Sequence, residues 1–236
     1  MHDHIDSPEG KLLFNEHMFT EIAPKYDFIT RALSFGRDIA WKNNLIRHLP
    51  DIKNPNCLDL ACGTGDIAFR LAQRFPSGHI VGIDLIKPML KLAQNKNNFS
   101  NVEFRQNNMC LLEFPDGTFD IVTGGYAIRN APDLKKALSE IARVLKPGGI
   151  AAFLDFSKQT NKLFQNIEFF LLKLWGSFWG LLLHRNIEVY TYIAESLKQF
   201  PDSRQLKNLF EKAGFKVSFS KKHFFGLAET IVCKKS

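Results

Sequence analysis

The run Asp59-Leu-Ala-Cys-Gly-Thr-Gly65, with an aspartate at position 84, has the residue types and spacing to hold a nucleoside cofactor. Gly63 and Gly65 let backbone approach a ligand closely, and a helix opening at Asp66 would turn its N-terminus toward that ligand. Asp84 lies about twenty residues further on, where a carboxylate can accept both ribose hydroxyls. Gly63-Thr64-Gly65-Asp66-Ile67-Ala68 also fits a dinucleotide fingerprint ending in Ala, so NAD must be weighed. Against it, Asp59 would set negative charge beside a pyrophosphate. The same acid complements the ammonium and cationic sulfur of S-adenosylmethionine, which is the cofactor the sequence favours. The ligand-free alternative makes Asp59 a turn cap and Asp84 a helix cap. Asn108 offers an amide to the adenine amine and Met109 a cover for its face, although Asn in a loop also makes turns. Gly124-Gly125 either leaves room for the cofactor or bends the chain.

An open α/β sheet would position these residues. Cys57–Leu60 reads as a strand running into the glycine turn, followed by a helix over Asp66–Arg74. The alternation continues with strands at 79–84, 102–105, 119–123 and 149–155 and helices at 88–95 and 133–145. Phe215–Ser220 and Glu229–Lys234 read as a hairpin that adds an antiparallel edge. Residues 1–50 form a helical N-terminal extension broken at Pro24 and Gly36, and 51–236 the main domain. Within that domain lies an aromatic helical insertion at about 160–200.

The chain has 236 residues, 45% of them hydrophobic and 23% charged, which excludes a disordered polymer and suits one α/β domain. Its net charge of +7 is a modest surplus spread along the chain, so no nucleic-acid partner is expected. Four scattered cysteines (57, 62, 110, 233) lack metal-ligand or disulfide spacing and read as buried thiols of a cytoplasmic protein. The polar N-terminus does not fit a secretory signal. Gln165, Asn166, Glu168 and Lys173 interrupt the most apolar stretch, 163–183. They argue against a spanning helix and leave a membrane-surface helix open.

The glycine loop, Asp84, Phe114-Pro-Asp-Gly-Thr-Phe-Asp120 and Val144-Leu-Lys-Pro-Gly-Gly149 together resemble the class I S-adenosylmethionine-dependent methyltransferases. Narrower motifs resemble the ubiquinone/menaquinone biosynthesis C-methyltransferases: Phe19-x-x-Ile22-Ala23-x-x-Tyr26-Asp27, Ile128-Arg129-Asn130, and Tyr190-x-Tyr192-Ile193-Ala194-Glu195-Ser196. The likeness runs from about Phe14 to Phe215. It implies a Rossmann-like α/β fold with a mostly parallel seven-stranded sheet and helices on both faces. It also implies cofactor contacts at Thr64, Asp84, Asn108 and Met109, and methylation of a ring carbon on a polyprenyl quinol. Departures from the family pattern fall at Thr30 (usually Asn), Gly125 (a cofactor-touching Ser), Glu188-Val189 (Asp-Ser) and the hairpin run His223–Thr230.

A quinone ring is electrophilic, so the acceptor should be the reduced quinol, whose phenolate pushes electron density onto a ring carbon. Arg129 is placed to hold that phenolate or orient a water. Tyr190 and Tyr192 are candidates for a hydrogen bond to a ring oxygen, and Tyr26 for closing over the cofactor. His184 and His223 titrate in a useful range but read as structural. The aromatic insertion is either a subdomain core or a channel for an isoprenoid tail that meets the membrane. A peripheral position at the inner face of the membrane and a homodimer are compatible with this reading. Two other readings stay open: a methyltransferase for another aromatic or polyketide acceptor, and a non-catalytic S-adenosylmethionine-binding partner in a membrane-associated assembly.

Overall fold

Pro24 and Gly36 divide the N-terminal apolar run into three helices, α1 (Pro8–Ile22), α2 (Tyr26–Leu33) and α3 (Asp38–Arg47). Pro24 sits in a one-turn 3-10 segment, and Gly36 takes φ 74°, a left-handed value that ends α2 and reverses the chain. The computed structural model describes residues 7–158, 161–185 and 188–236, with backbone only for 188–191.

Strands and helices then alternate: β1 (Asn56–Leu60), α4 (Asp66–Arg74), β2 (His79–Asp84), α5 (Lys87–Lys96), β3 (Val102–Gln106), β4 (Phe119–Gly125), α6 (Leu134–Val144) and β5 (Leu145–Phe156). There follow α7 (Lys162–His184), α8 (Glu188–Gln199), α9 (Ser203–Lys212), β6 (Phe215–His223) and β7 (Ala228–Lys235). They build a seven-stranded sheet in the order β3-β2-β1-β4-β5-β7-β6. β1 to β5 pair in parallel, while β7 runs antiparallel to both β5 and β6. The hairpin expected at the C-terminus is therefore present, but β7 lies inside the sheet and β6 forms the edge.

Helices cover both faces, so the central strands are buried on both sides and read as continuous apolar runs. Leu58, Leu60, Ile80, Ile121 and Leu154 are fully buried. Ile67, Ala68, Leu71 and Ala72 form the buried stripe of α4, and Ala137, Leu138, Ile141 and Val144 that of α6. Strand order reverses between β1 and β4, which opens a crevice at their carboxyl ends. The glycine turn, Asp84 and the Tyr126–Asn130 segment all leave strands at that edge.

The aromatic insertion is the helix pair α7 and α8, packed along each other. Trp175, Trp179 and Leu183 on α7 pack against the cluster of Met18, Ile22, Ile29 and Leu33 from α1 and α2. Leu163, Phe170, Leu174, Phe178 and Leu182 point away from it and are exposed. α7 is long and apolar enough to cross a membrane by length and composition alone. Its inner face is committed to the protein. All four cysteines are free and buried.

Candidate active site

The loop after β1 is held in place by the acid after β2. Asp84 Oδ2 accepts the Gly63 amide at 2.8 Å and Oδ1 accepts the Ile86 amide at 2.9 Å. Asp84 does not cap α5, whose N-cap is Ile86 with no side-chain cap bond; it holds the turn before that helix, and each carboxylate oxygen keeps a further lone pair. Asp84 is buried, which pushes its carboxyl above the usual range, and it lines a cleft with Gly63, Leu85, Asn108 and Met109. A Cβ on Gly63 would stand 3.5 Å from the Tyr26 ring, and Gly63 takes φ 54°. Asn108 Oδ1 accepts the Cys110 amide at 2.9 Å, so turn chemistry and a place in the cleft coexist in one side chain.

α1 roofs the cleft. Leu12, Asn15 and Phe19 line it. Lys11 Nζ donates to the carbonyls of Arg129 and Ala131, both at 2.9 Å, and Asn15 Nδ2 donates to the Asn130 carbonyl at 2.9 Å. Burial and the neighbouring Arg129 charge lower the Lys11 ammonium to about 8.

A second, apolar chamber adjoins the cleft, lined by Met18, Ile22, Ile29, Leu33, Phe156 and Ile193. Phe19, Tyr26, Tyr126 and Asn130 line both spaces. Tyr126 holds φ 57°, a costly conformation for an aromatic residue and one that clusters at functional sites. Arg129 and Tyr192 also face the chamber. Arg129 is 4% exposed, its Nε lies 3.4 Å from Asp155 Oδ1, and its Nη1 donates to Ser196 Oγ. Its guanidinium lies over the Phe156 and Tyr192 rings at 5.5 and 5.8 Å. Burial pushes Asp155 up despite that pairing, and pushes the Tyr192 phenol up to about 12.

The profile of the ubiE/COQ5 methyltransferase family matches residues 8–235. The chain belongs to that family. Among its relatives, the demethylmenaquinone methyltransferase of Thermus thermophilus is 38% identical over 204 residues, 86% of this chain and 93% of that protein. The ubiquinone/menaquinone biosynthesis C-methyltransferase UbiE of Geobacter sulfurreducens is 38% identical over 217 residues, 89% of this chain and 84% of that one. In fold the chain is similar to an S-adenosylmethionine-dependent methyltransferase from Thermotoga maritima, with TM-score 0.64 and 20% identity over 94% of this chain and 99% of that one. The methyltransferase in complex with the Haloferax volcanii Trm112 activator gives 0.68 at 18% identity, over 92% and 96%. Like its family, the chain is an S-adenosylmethionine-dependent methyltransferase. The lining of the cleft fits that cofactor: a buried carboxylate, Asp84, stands beside Gly63, where no Cβ blocks close approach, and apolar side chains are present for a planar base.

The residues singled out from sequence divide into those that face the cleft and those that support it. Tyr26, Gly63, Asp84, Asn108 and Met109 face it. Thr64 donates its hydroxyl to Asp27 on α2, and Gly65, at φ 90°, caps α4. Asp59 lies beneath the loop, where Thr123 Oγ1 donates to Oδ1 at 2.9 Å and burial pushes the carboxyl up to about 7. Gly125 faces α4, where an added Cβ would meet the end of the Ile67 side chain, Cδ1, at 2.4 Å and displace it. The Tyr190 side chain lies outside the described residues. His223 bonds Thr230 Oγ1 at 2.8 Å and stacks on Trp41, and His184 lies 3.8 Å from Glu21, both away from the two cavities.

Sequence reasoning missed Asn15, Tyr126 and the chamber role of Asn130. Asn130 belongs to the Ile128-Arg129-Asn130 motif, and Tyr126 directly follows Gly124-Gly125, so position carried some signal. Asn15 lies within a helix, where nothing marks an inward amide.

Proposed function

We propose that the enzyme transfers a methyl group from S-adenosylmethionine to a ring carbon of a reduced polyprenyl quinol. The observation that carries this reading is the junction of the cofactor cleft with an apolar chamber, walled on both sides by Phe19, Tyr26, Tyr126 and Asn130. The Thermus relative is named for action on demethylmenaquinone and the Geobacter relative for ubiquinone and menaquinone biosynthesis. Those names weigh against both an unrelated acceptor and a non-catalytic role.

When bound, the cofactor supplies a methyl carbon activated by cationic sulfur. The protein's tasks are alignment and exclusion of water. Asp84 binds the ribose, Asn108 and Met109 the base, and Gly63 lets the backbone come close. Thr64, Gly65 and Gly125 set the loop and the floor, and Asp59 supplies charge from below. Residues 1–50 serve as the cover and 51–236 as the catalytic domain. Arg129 holds the developing phenolate at the chamber wall. It is a donor and not a base, since guanidinium stays protonated. Tyr190, on α8, is proposed to hydrogen-bond a ring oxygen.

The polyprenyl tail leaves by an apolar groove lined by Phe35, Leu171, Trp175, Phe224 and Phe225. Leu33 and Ser34 line the chamber and Phe35, the next residue, lines the groove. Phe225 is 94% exposed at φ 56°, with Phe224 at φ 44° beside it. Two strained residues holding a phenylalanine in water suit insertion into a membrane surface. The exposed face of α7 continues that patch, and Lys162, Lys173, Arg185, Lys221 and Lys222 supply charge for anionic headgroups. A cytoplasmic enzyme docked on the inner face fits this arrangement. Labelled methyl should pass to demethylmenaquinol only while the ring is kept reduced; equal transfer to the oxidised ring would defeat the reading.

A further inference from the structure

Asn130 lines both cleft and chamber, Asn15 lines the cleft beside it, and each amide is oriented by its own hydrogen bond. Asn15 Nδ2 donates to the Asn130 carbonyl at 2.9 Å, and Asn130 Nδ2 donates to the Tyr126 carbonyl at 2.8 Å. Turning either amide over would set oxygen against oxygen, so the orientation is fixed. Both Oδ1 atoms are buried and have no hydrogen-bond partner among the described residues. Asn15 is 7% exposed and lies beside the Tyr192 hydroxyl; the Tyr192 side chain lines the chamber. Two buried acceptors without donors are costly unless a ligand supplies the protons.

We propose that these two carbonyl oxygens select the redox state of the substrate. The inference rests on the quinol reading and names residues that enforce it. A quinol carries hydroxyl donors that satisfy an amide oxygen. A quinone carries only acceptors, and its carbonyl would meet Oδ1 with lone pair facing lone pair. The Tyr126 hydroxyl also lacks a partner among the described residues, but it rotates to donate or accept and does not discriminate. The amides cannot adapt. They are specificity-determining residues and take no part in bond making.

The test is anaerobic binding of a short-chain demethylnaphthoquinol and of its oxidised quinone to protein loaded with S-adenosylhomocysteine, which has no methyl to transfer. Wild type should bind the quinol at least about tenfold more tightly, the factor expected of one hydrogen bond made or lost. Asn130→Leu and Asn15→Leu should each bring that ratio toward one. A merely structural role would weaken both forms together and leave the ratio unchanged, overturning the proposal. Lost S-adenosylhomocysteine affinity with an unchanged ratio would assign the amides to the cofactor and also overturn it. Equal binding of both forms by wild type refutes the inference alone, whereas binding of neither refutes the quinol reading with it.

Discussion

Asp84 joins two functions in one carboxylate, since it fixes the glycine loop through the Gly63 and Ile86 amides and faces the cleft. Asp84→Ala should therefore weaken cofactor binding by about 1–3 kcal/mol, read by calorimetry; unchanged affinity would remove the ribose from this site. Asp59 predicts a pH effect. Burial raises its carboxyl from 3.8 to about 7, so the unliganded protein keeps that proton until near neutrality. Its contribution to stability is present below the unfolded value and is lost as pH rises through about 7. A cationic ligand favours the carboxylate. Cofactor affinity should accordingly rise with pH up to about 7, with proton release on binding below it. Asp59→Asn should abolish that release, measured in buffers of different ionisation heat. Arg129 and Asp155 are each 4% exposed, and removing either partner of such a pair costs about 3–5 kcal/mol. Arg129→Ala would thus confound folding with catalysis. Arg129→Lys keeps the charge and loses the planar fork, and should lower kcat about 10²-fold with little change in melting temperature. Full activity in that variant would make Arg129 purely structural.

At the level of elements, the regular alternation of strands and helices was legible because burial on both faces imposes apolar runs and glycine turns punctuate them. α4 and β2 fall on their expected bounds, while β5 begins at Leu145, earlier than residue 149, because its first residues pair with β4 across an irregularity near Phe119. What periodicity could not show was which distant helices would meet. α1, α2 and α8 converge on one chamber, so Asn15, Thr30 and Tyr192 become neighbours of Arg129 only in three dimensions. The Gly125 departure leaves a bare backbone position facing the end of the Ile67 side chain on α4. The hairpin departure places Phe225 at an exposed tip next to the α7 face. Phe225→Ser combined with Phe170→Ser should reduce cosedimentation with anionic vesicles at least several-fold, while turnover on a tail-less quinol stays at the wild-type rate. Undiminished vesicle binding would locate the membrane contact elsewhere.

For the whole molecule, the fold and cofactor were readable from a loop, an acid and their order along the sheet, because a parallel sheet places both at one edge. The acceptor was less legible, since the residues that face it come from an N-terminal cover, a strand end and an insertion. Assembled, they set an apolar chamber beside the cofactor cleft, with four residues common to both walls. The central claim is that this pair of cavities performs carbon methylation. The most direct measurement is transfer of a ¹³C-labelled methyl group from S-adenosylmethionine to chemically reduced demethylmenaquinol, with the product's carbon resonance recorded. The account predicts a single methyl signal bonded to a ring carbon. A methoxy signal on a ring oxygen, or unmodified quinol recovered beside cofactor-loaded enzyme, would contradict it.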